Sequence, residues 1–160
     1  MERRLSLERF IEKWTHEDYP PEKVSGPGLE AVEARFGFVL PGDYRQAVLA
    51  HGLPRPTIAL LDGILAADLD FPDVSDFLAP EEIVRLTDDW RGGGMPDHLV
   101  TFAHDCGGNL FCFDAGPGAD HATVWFWDHD DGSVTVAADS FATWIERFCS
   151  VEPAGDDFEP

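Results

Sequence analysis

Four short runs in the second half of the chain, "HLVTFA", "NLFCFD", "ATVWFW" and "SVTVAA", constrain the fold more than anything else in the sequence. Each is rich in Val, Phe, Thr or Trp, and each is bounded by clusters of Gly and Asp, the punctuation of strands. Joined by short turns, the four predict an antiparallel meander. In residues 123–127 both alternating sets are bulky, Val124 and Phe126 against Trp125 and Trp127. A strand of that kind is expected to be central and covered on both faces, so helices must supply the cover.

The helical signals lie on either side of the meander. Leu7, Phe10, Ile11 and Trp14 recur at helical spacing and predict an amphipathic helix over about residues 5–18. The connector "HEDYPPEKVSGPG" breaks it, after which Leu29, Val32 and Phe36 repeat the spacing until Gly37 stops it. In "LPGDYRQAVLAHG", Pro41 suits the first helical position and Asp43 complements the positive helix start. Tyr44, Ala47 and Val48 share a face, and Gly52 ends the helix. Residues 53–78 lack a clean period; their apolar runs at 58–61 and 64–65 read as short strands or as an ordered loop. Pro80 and two glutamates then open a helix with Ile83, Leu86 and Trp90 on one side, ended by "RGGG". A last helix, capped by Asp139 or Ser140, carries Phe141, Trp144, Ile145 and Phe148 on one face. The expectation is a single α+β domain over residues 1–150, a mainly antiparallel sheet of about four to six strands with helices packed against it. An acidic tail over 151–160 is expected to be disordered.

Charge separates the classes of partner. The chain holds 31 Asp and Glu against 11 Lys and Arg, a formal net charge of -20, and from Gly92 onward 13 acidic residues face one basic residue, Arg147. Such a field repels nucleic-acid phosphates and anionic lipid, and draws in basic partners. No apolar run is long enough for a membrane span, and the start, "MERRLSLERFIEKW", mixes Glu8 and Glu12 into its apolar residues, unlike a signal peptide. Cys106, Cys112 and Cys149 are an odd number without framework spacing, which points to reduced thiols. The expected location is the cytoplasm.

Several chemistries can be weighed on the residues. His104, Asp105, Cys106, His121, Asp128 and His129 could converge on a metal, and a metal-dependent hydrolase using His104 and His121 is the enzymatic alternative. Paired zinc ligands such as C-x-x-C or H-E-x-x-H do not occur, however, and the Gly-Gly between Cys106 and Cys112 argues for a turn. No nucleophile elbow is present, Cys112 between two phenylalanines reads as a core residue, and "RGGG" and "CGGN" lack the Lys and Ser or Thr of a phosphate-binding loop. The stripe Trp125, Phe126, Trp127 reads as core in preference to a ligand platform. No catalytic, cofactor or metal residue is assigned. What remains is acidic loops beside the strands: "DLDFPDVSD" near residue 70, Asp105, Asp114, Asp120 and "DHDDG" at 128–132. Turns at one edge of the meander would gather these into a patch, or they are ordinary turn formers on a solvated face.

The order of the pieces "FVLPGDYRQAVLAHG", "LVTFAHDCGGNLFCFD", "TVWFWDHDDG" and "ADSFATWIERF" resembles the SMI1/KNR4 family, also called the SUKH superfamily, over about residues 25–149. The resemblance implies an α+β fold and a non-enzymatic role. Bacterial members are largely immunity proteins that neutralise toxins, often nucleases; fungal relatives are interaction modules in cell-wall regulation. Gly107, Gly108 and Asn109 look like the family's turn, Asp114 like its strand-end acid and Asp128 like the acid closing its aromatic strand, whereas Cys106 departs from the family pattern. The function so implied is an immunity protein that binds a basic toxin domain, a nuclease, through an acidic surface. The alternative in the same fold is a regulatory interaction module. The residues expected to meet the partner are Asp68, Asp70, Asp73, Asp105, Asp114, Asp128, Asp130 and Asp131, with no nucleic acid, membrane or cofactor involved.

Overall fold

The computed structural model describes residues 6–158; residues 1–5, with which the expected domain and its first helix begin, and the last two residues of the acidic tail lie outside them. The expected meander is present. Strands β2 (Leu99–His104), β3 (Leu110–Asp114), β4 (Val124–Trp127) and β5 (Val134–Ala138) pair in sequence, each antiparallel to the next. A two-residue strand β1 (Asp76–Phe77) extends the sheet at its other edge, with Asp76 opposite His104, so the order is β1-β2-β3-β4-β5.

Strand alternation sorts the side chains onto two unequal faces. Phe102 and Phe113 stack at 4.1 Å on the principal face, and Phe111 lies 4.7 Å from the Trp144 ring between strand and helix. This face carries the main core. Leu99, Leu110, Cys112 and Trp127 point the other way, into a smaller cluster closed by Met95 and partly by Trp90 and Trp125. The expected full cover of β4 is therefore only half realised: Val124 and Trp127 are buried, while Phe126 beside the main core and Trp125 beside the smaller cluster stay partly open.

The helices form where their sequence caps place them. α1 (Ser6–Trp14) buries Leu7, Phe10 and Trp14 and ends sooner than expected, and Gly37 in left-handed backbone (φ 70) ends α2 (Gly26–Phe36). In α3 (Gly42–His51), Pro41 sits one place ahead of its expected position, as the cap, and the Asp43 carboxylate reaches across to accept from the Ala142 N–H. α5 (Pro80–Gly92) begins at Pro80, with Glu82 accepting from the Ala79 N–H. α6 (Phe141–Cys149) resolves its choice of cap in favour of Ser140, whose Oγ accepts from the Thr143 N–H at 3.1 Å. α1 lies against α6, where Trp14 donates to the Phe148 carbonyl and Lys13 to that of Cys149, supplying donors to the last carbonyls of the helix.

Residues 59–66 correct the sequence reading. Ala59–Ala66 is a helix, α4, and neither a strand nor a loop. Leu60 and Ile64 are buried one turn apart, but Ile58 (71 % exposed) and Leu65 (51 % exposed) leave apolar residues on the outer side too, which erased the period. Gly63 lets the helix approach the chain after α6: a Cβ there would come within 2.7 Å of the Glu152 carbonyl oxygen. Val151 beside it is buried, so packing continues past residue 150. Among the described residues no helix is long and apolar enough to cross a membrane.

Candidate functional site

In a meander, alternate turns fall at the same end of the sheet. The β2–β3 turn (105–109) and the β4–β5 turn (128–133) therefore sit side by side, and the segment leading into β1 joins them through Ser75, whose N–H donates to the His104 carbonyl. Asp105 organises this end. Its Oδ1 accepts from the N–H groups of Gly107 (2.9 Å) and Asn109 (2.8 Å), and its Oδ2 from the Asn109 side-chain amide (3.3 Å). Gly108 takes positive φ (85°), the conformation that glycine adopts without strain. Asn109 then ties the two turns together: its Oδ1 accepts from the His129 N–H at 3.2 Å and lies 2.6 Å from His129 Nδ1, which therefore carries the proton. The sequence reading located this Asn in a turn but missed its bridge to His129.

The expected partner residues divide on this frame. Asp105 and Asp73 are each 6 % exposed, and Asp73 accepts from the Cys106 N–H at 3.1 Å, so these two carboxylates hold loops together from inside. Asp128 is half-buried and accepts from the Asp130 N–H, while Asp130 and Asp131 are exposed at the tip of their turn. The Ser133 N–H donates to Asp131 and holds its carboxyl below the usual range. Asp76, exposed on β1, adds a carboxylate 3.2 Å from His104 Nε2. Asp70 stands on the rim of a nearby cavity, and Asp68 is exposed beyond α4 in left-handed backbone (φ 53). Asp114 is not brought to this end. It closes β3 at the opposite end, where it accepts from the Gly116 N–H and its carbonyl accepts from His121 Nδ1 at 2.6 Å.

That separation bears on the metal alternative. His104 ends β2 at one end of the sheet and His121 pins the β3–β4 loop at the other, a strand of about 15 Å between them. Among the described residues no group of three His, Cys, Asp or Glu side chains is placed to share an ion.

The thiols are also accounted for. Burial pushes Cys112 far up, and Cys106 is raised by partial burial and then by the charge of Asp73 beside it. A raised thiol is a poor nucleophile at neutral pH. Native-state labelling with a disulfide reagent at pH 8 is expected to modify Cys106, the exposed thiol, more slowly than free cysteine, whereas reaction faster than free cysteine would contradict the placement beside Asp73.

Asp73 gives the site a pH signature. Burial, with a smaller push from Asp105, raises its carboxyl above the ordinary value of 3.8. A carboxyl raised in the fold costs stability when ionised: the cost is full above the folded pKa and disappears as pH falls through it toward the unfolded value. Asp73→Asn keeps an acceptor for the Cys106 N–H, so the variant is expected to be more stable than the parent at pH 7. Its advantage should shrink as pH approaches 4. Urea midpoints at the two pH values check this, and an advantage that grows in acid would contradict it.

The model of the SMI1 / KNR4 family (SUKH-1) matches residues 24–147. No curated protein matches the chain.

Proposed function

The chain belongs to the SMI1/KNR4 family (SUKH-1), and we propose that it is an immunity protein that binds a basic toxin domain, a nuclease, through the acidic end of its sheet. Membership is consistent with an immunity role in general, since the family's fold generally serves binding and not catalysis. The observation that carries the finer reading is the exposure of Asp130, Asp131 and Asp76 at one end of the sheet, on a frame fixed from within by Asp105 and Asn109. A nuclease needs a basic surface to hold phosphates, so carboxylates displayed on a rigid frame are suited to occupy or flank that surface.

Growth rescue tests this. A toxin domain encoded beside the gene is expected to arrest growth alone and to be neutralised on co-expression with this chain. Combining Asp130→Lys with Asp128→Asn and Asp131→Asn keeps acceptors for the Asp130 and Ser133 N–H groups while removing the charge. This variant should melt within a few degrees of the parent and weaken binding about tenfold or more. Rescue and affinity equal to the parent would remove the patch from the interface.

A further inference from the structure

β5 is an outer strand of the sheet, and over residues 134–136 its free side carries neither charge nor proline. Natural sheet edges are blunted by charged residues, proline, β-bulges or a covering segment, and here the register shift with β4 comes only past Val136, at Ala137. Val134–Ala138 reads VTVAA, with Thr135 exposed and Val136 55 % exposed. The hairpin before it fixes which backbone groups face outward. Asp128 N–H donates to the Ser133 carbonyl and the Gly132 N–H donates to the Asp128 carbonyl, with Gly132 at φ 76, a bulge that makes 128 and 133 a bonded pair. Counting on from there, the register opposes Val134 to Trp127, Thr135 to Phe126 and Val136 to Trp125. Bonded and non-bonded pairs alternate, so Thr135 spends its backbone groups on β4 while Val134 and Val136 turn theirs away from the sheet.

A second feature lies beside this edge. A cavity of about 400 Å³ opens between β5, α6 and the loop at residues 70–72. Phe111, Phe126, Trp144 and Phe148 form its aromatic floor, Thr135, Val136 and Ala137 of β5 form one wall, and Asp70 and Arg147 stand among its lining residues. Val136 lines the cavity as well, because the pairing with β4 shifts by one residue past it and breaks the alternation at Ala137; Thr135, in the regular part of the strand opposite Phe126, lies on the cavity side. In an added strand, the residue opposite Thr135 would point the same way, into the opening.

We propose that β5 and this cavity form one docking site, which takes an extended segment of a basic protein partner as a sixth strand. Its main chain bonds to Val134 and Val136, an apolar side chain enters the cavity, and basic residues lie at its two ends. The ends are set by charge: Asp128, Asp130 and Asp131 precede β5, and Asp139 follows it, exposed. A second copy of this chain is disfavoured on the same ground, because parallel or antiparallel pairing of two β5 strands sets aspartate against aspartate. The proposal rests on the binding role argued above and names how the partner is held.

The test uses the full chain and a synthetic peptide, acetyl-Lys-Thr-Phe-Thr-Phe-Thr-Lys-amide, followed by nitrogen-15 NMR. Binding should shift the amides of Val134 and Val136 most. The same peptide with Glu at both ends should bind the parent chain at least tenfold more weakly at low salt, a comparison that needs no variant. Val136→Pro removes an outward N–H and spares the β4 pairing, and Ala137→Phe fills the cavity; each should weaken binding at least tenfold. Absence of shifts along β5 at millimolar peptide, or unchanged affinity in Val136→Pro, would overturn the proposal. A dimer of the parent chain in sedimentation that is lost in Val136→Pro would assign the edge to a second copy and overturn it equally. The two readings separate cleanly: growth rescue by Val136→Pro equal to the parent leaves the immunity role standing and removes the edge, whereas peptide binding along β5 without rescue by the parent chain does the reverse.

Discussion

Trp144→Ala is expected to lower the stability of the fold by about 3–5 kcal/mol, the range for deleting a large aromatic side chain from a packed core. Trp144 is 1 % exposed. Its ring lies 4.7 Å from Phe111, 5.2 Å from Phe148, 5.3 Å from Phe102 and 6.0 Å from Phe77, so one side chain of α6 touches residues of β1, β2 and β3. Alanine leaves a void that none of these rings can fill without leaving its own contacts. The loss is a large part of the roughly 5–15 kcal/mol that holds a typical domain together. Trp144→Phe retains much of the packing and should cost about half as much or less. Urea unfolding followed by near-ultraviolet circular dichroism measures both, and a loss below about 1.5 kcal/mol for the alanine variant would contradict the central position of this ring.

Asp105→Ala should cost about 2–3 kcal/mol, since hydrogen bonds to a charged acceptor are the stronger kind and two backbone donors lose theirs together. The damage should spread beyond the turn. Without Asp105 Oδ2 the Asn109 side-chain amide is free to rotate, and its Oδ1 then releases His129 in the neighbouring turn. Hydrogen exchange at the His129 amide is expected to accelerate in Asp105→Ala and in Asn109→Ala alike. Asp105→Asn should fall between, because it keeps one acceptor but sets an amide donor against the Asn109 amide. Unchanged exchange at His129 would show that the two turns are held by something else.

Particular residues explain what could be read from the sequence. The meander was legible because its strands are short, rich in Val, Phe, Thr and Trp, and bounded by Gly and Asp, and strand identity depends on local pattern. The same topology could also have sorted the acids, since alternate turns of a meander share an end; Asp114 had to lie away from Asp105 and Asp128 once β3 was placed between them. α4 was hidden because Ile58 and Leu65 are apolar yet exposed. The burial of Asp73 was hidden for a different reason. Its partner is the amide of Cys106, 33 residues away, and no local pattern reports a contact of that separation.

The chain's acidity reads differently once these positions are known. Asp73 and Asp105 serve the frame, Asp114 serves the far loop, and the carboxylates exposed at the turn end of the sheet are Asp76, Asp130 and Asp131, with Asp128 half-buried behind them. The most direct test of the proposed function is the association rate of the full chain with a toxin domain that it neutralises on co-expression, followed by stopped flow from about 20 to 300 mM salt, where screening lengths shrink from tens of ångströms to a few. If the acidic end steers the encounter, the rate falls steeply with salt, and the variant combining Asp128→Asn, Asp130→Lys and Asp131→Asn associates about tenfold or more slowly at low salt, with a flatter salt dependence. Equal rates and equal salt slopes for the variant and the parent chain would contradict it.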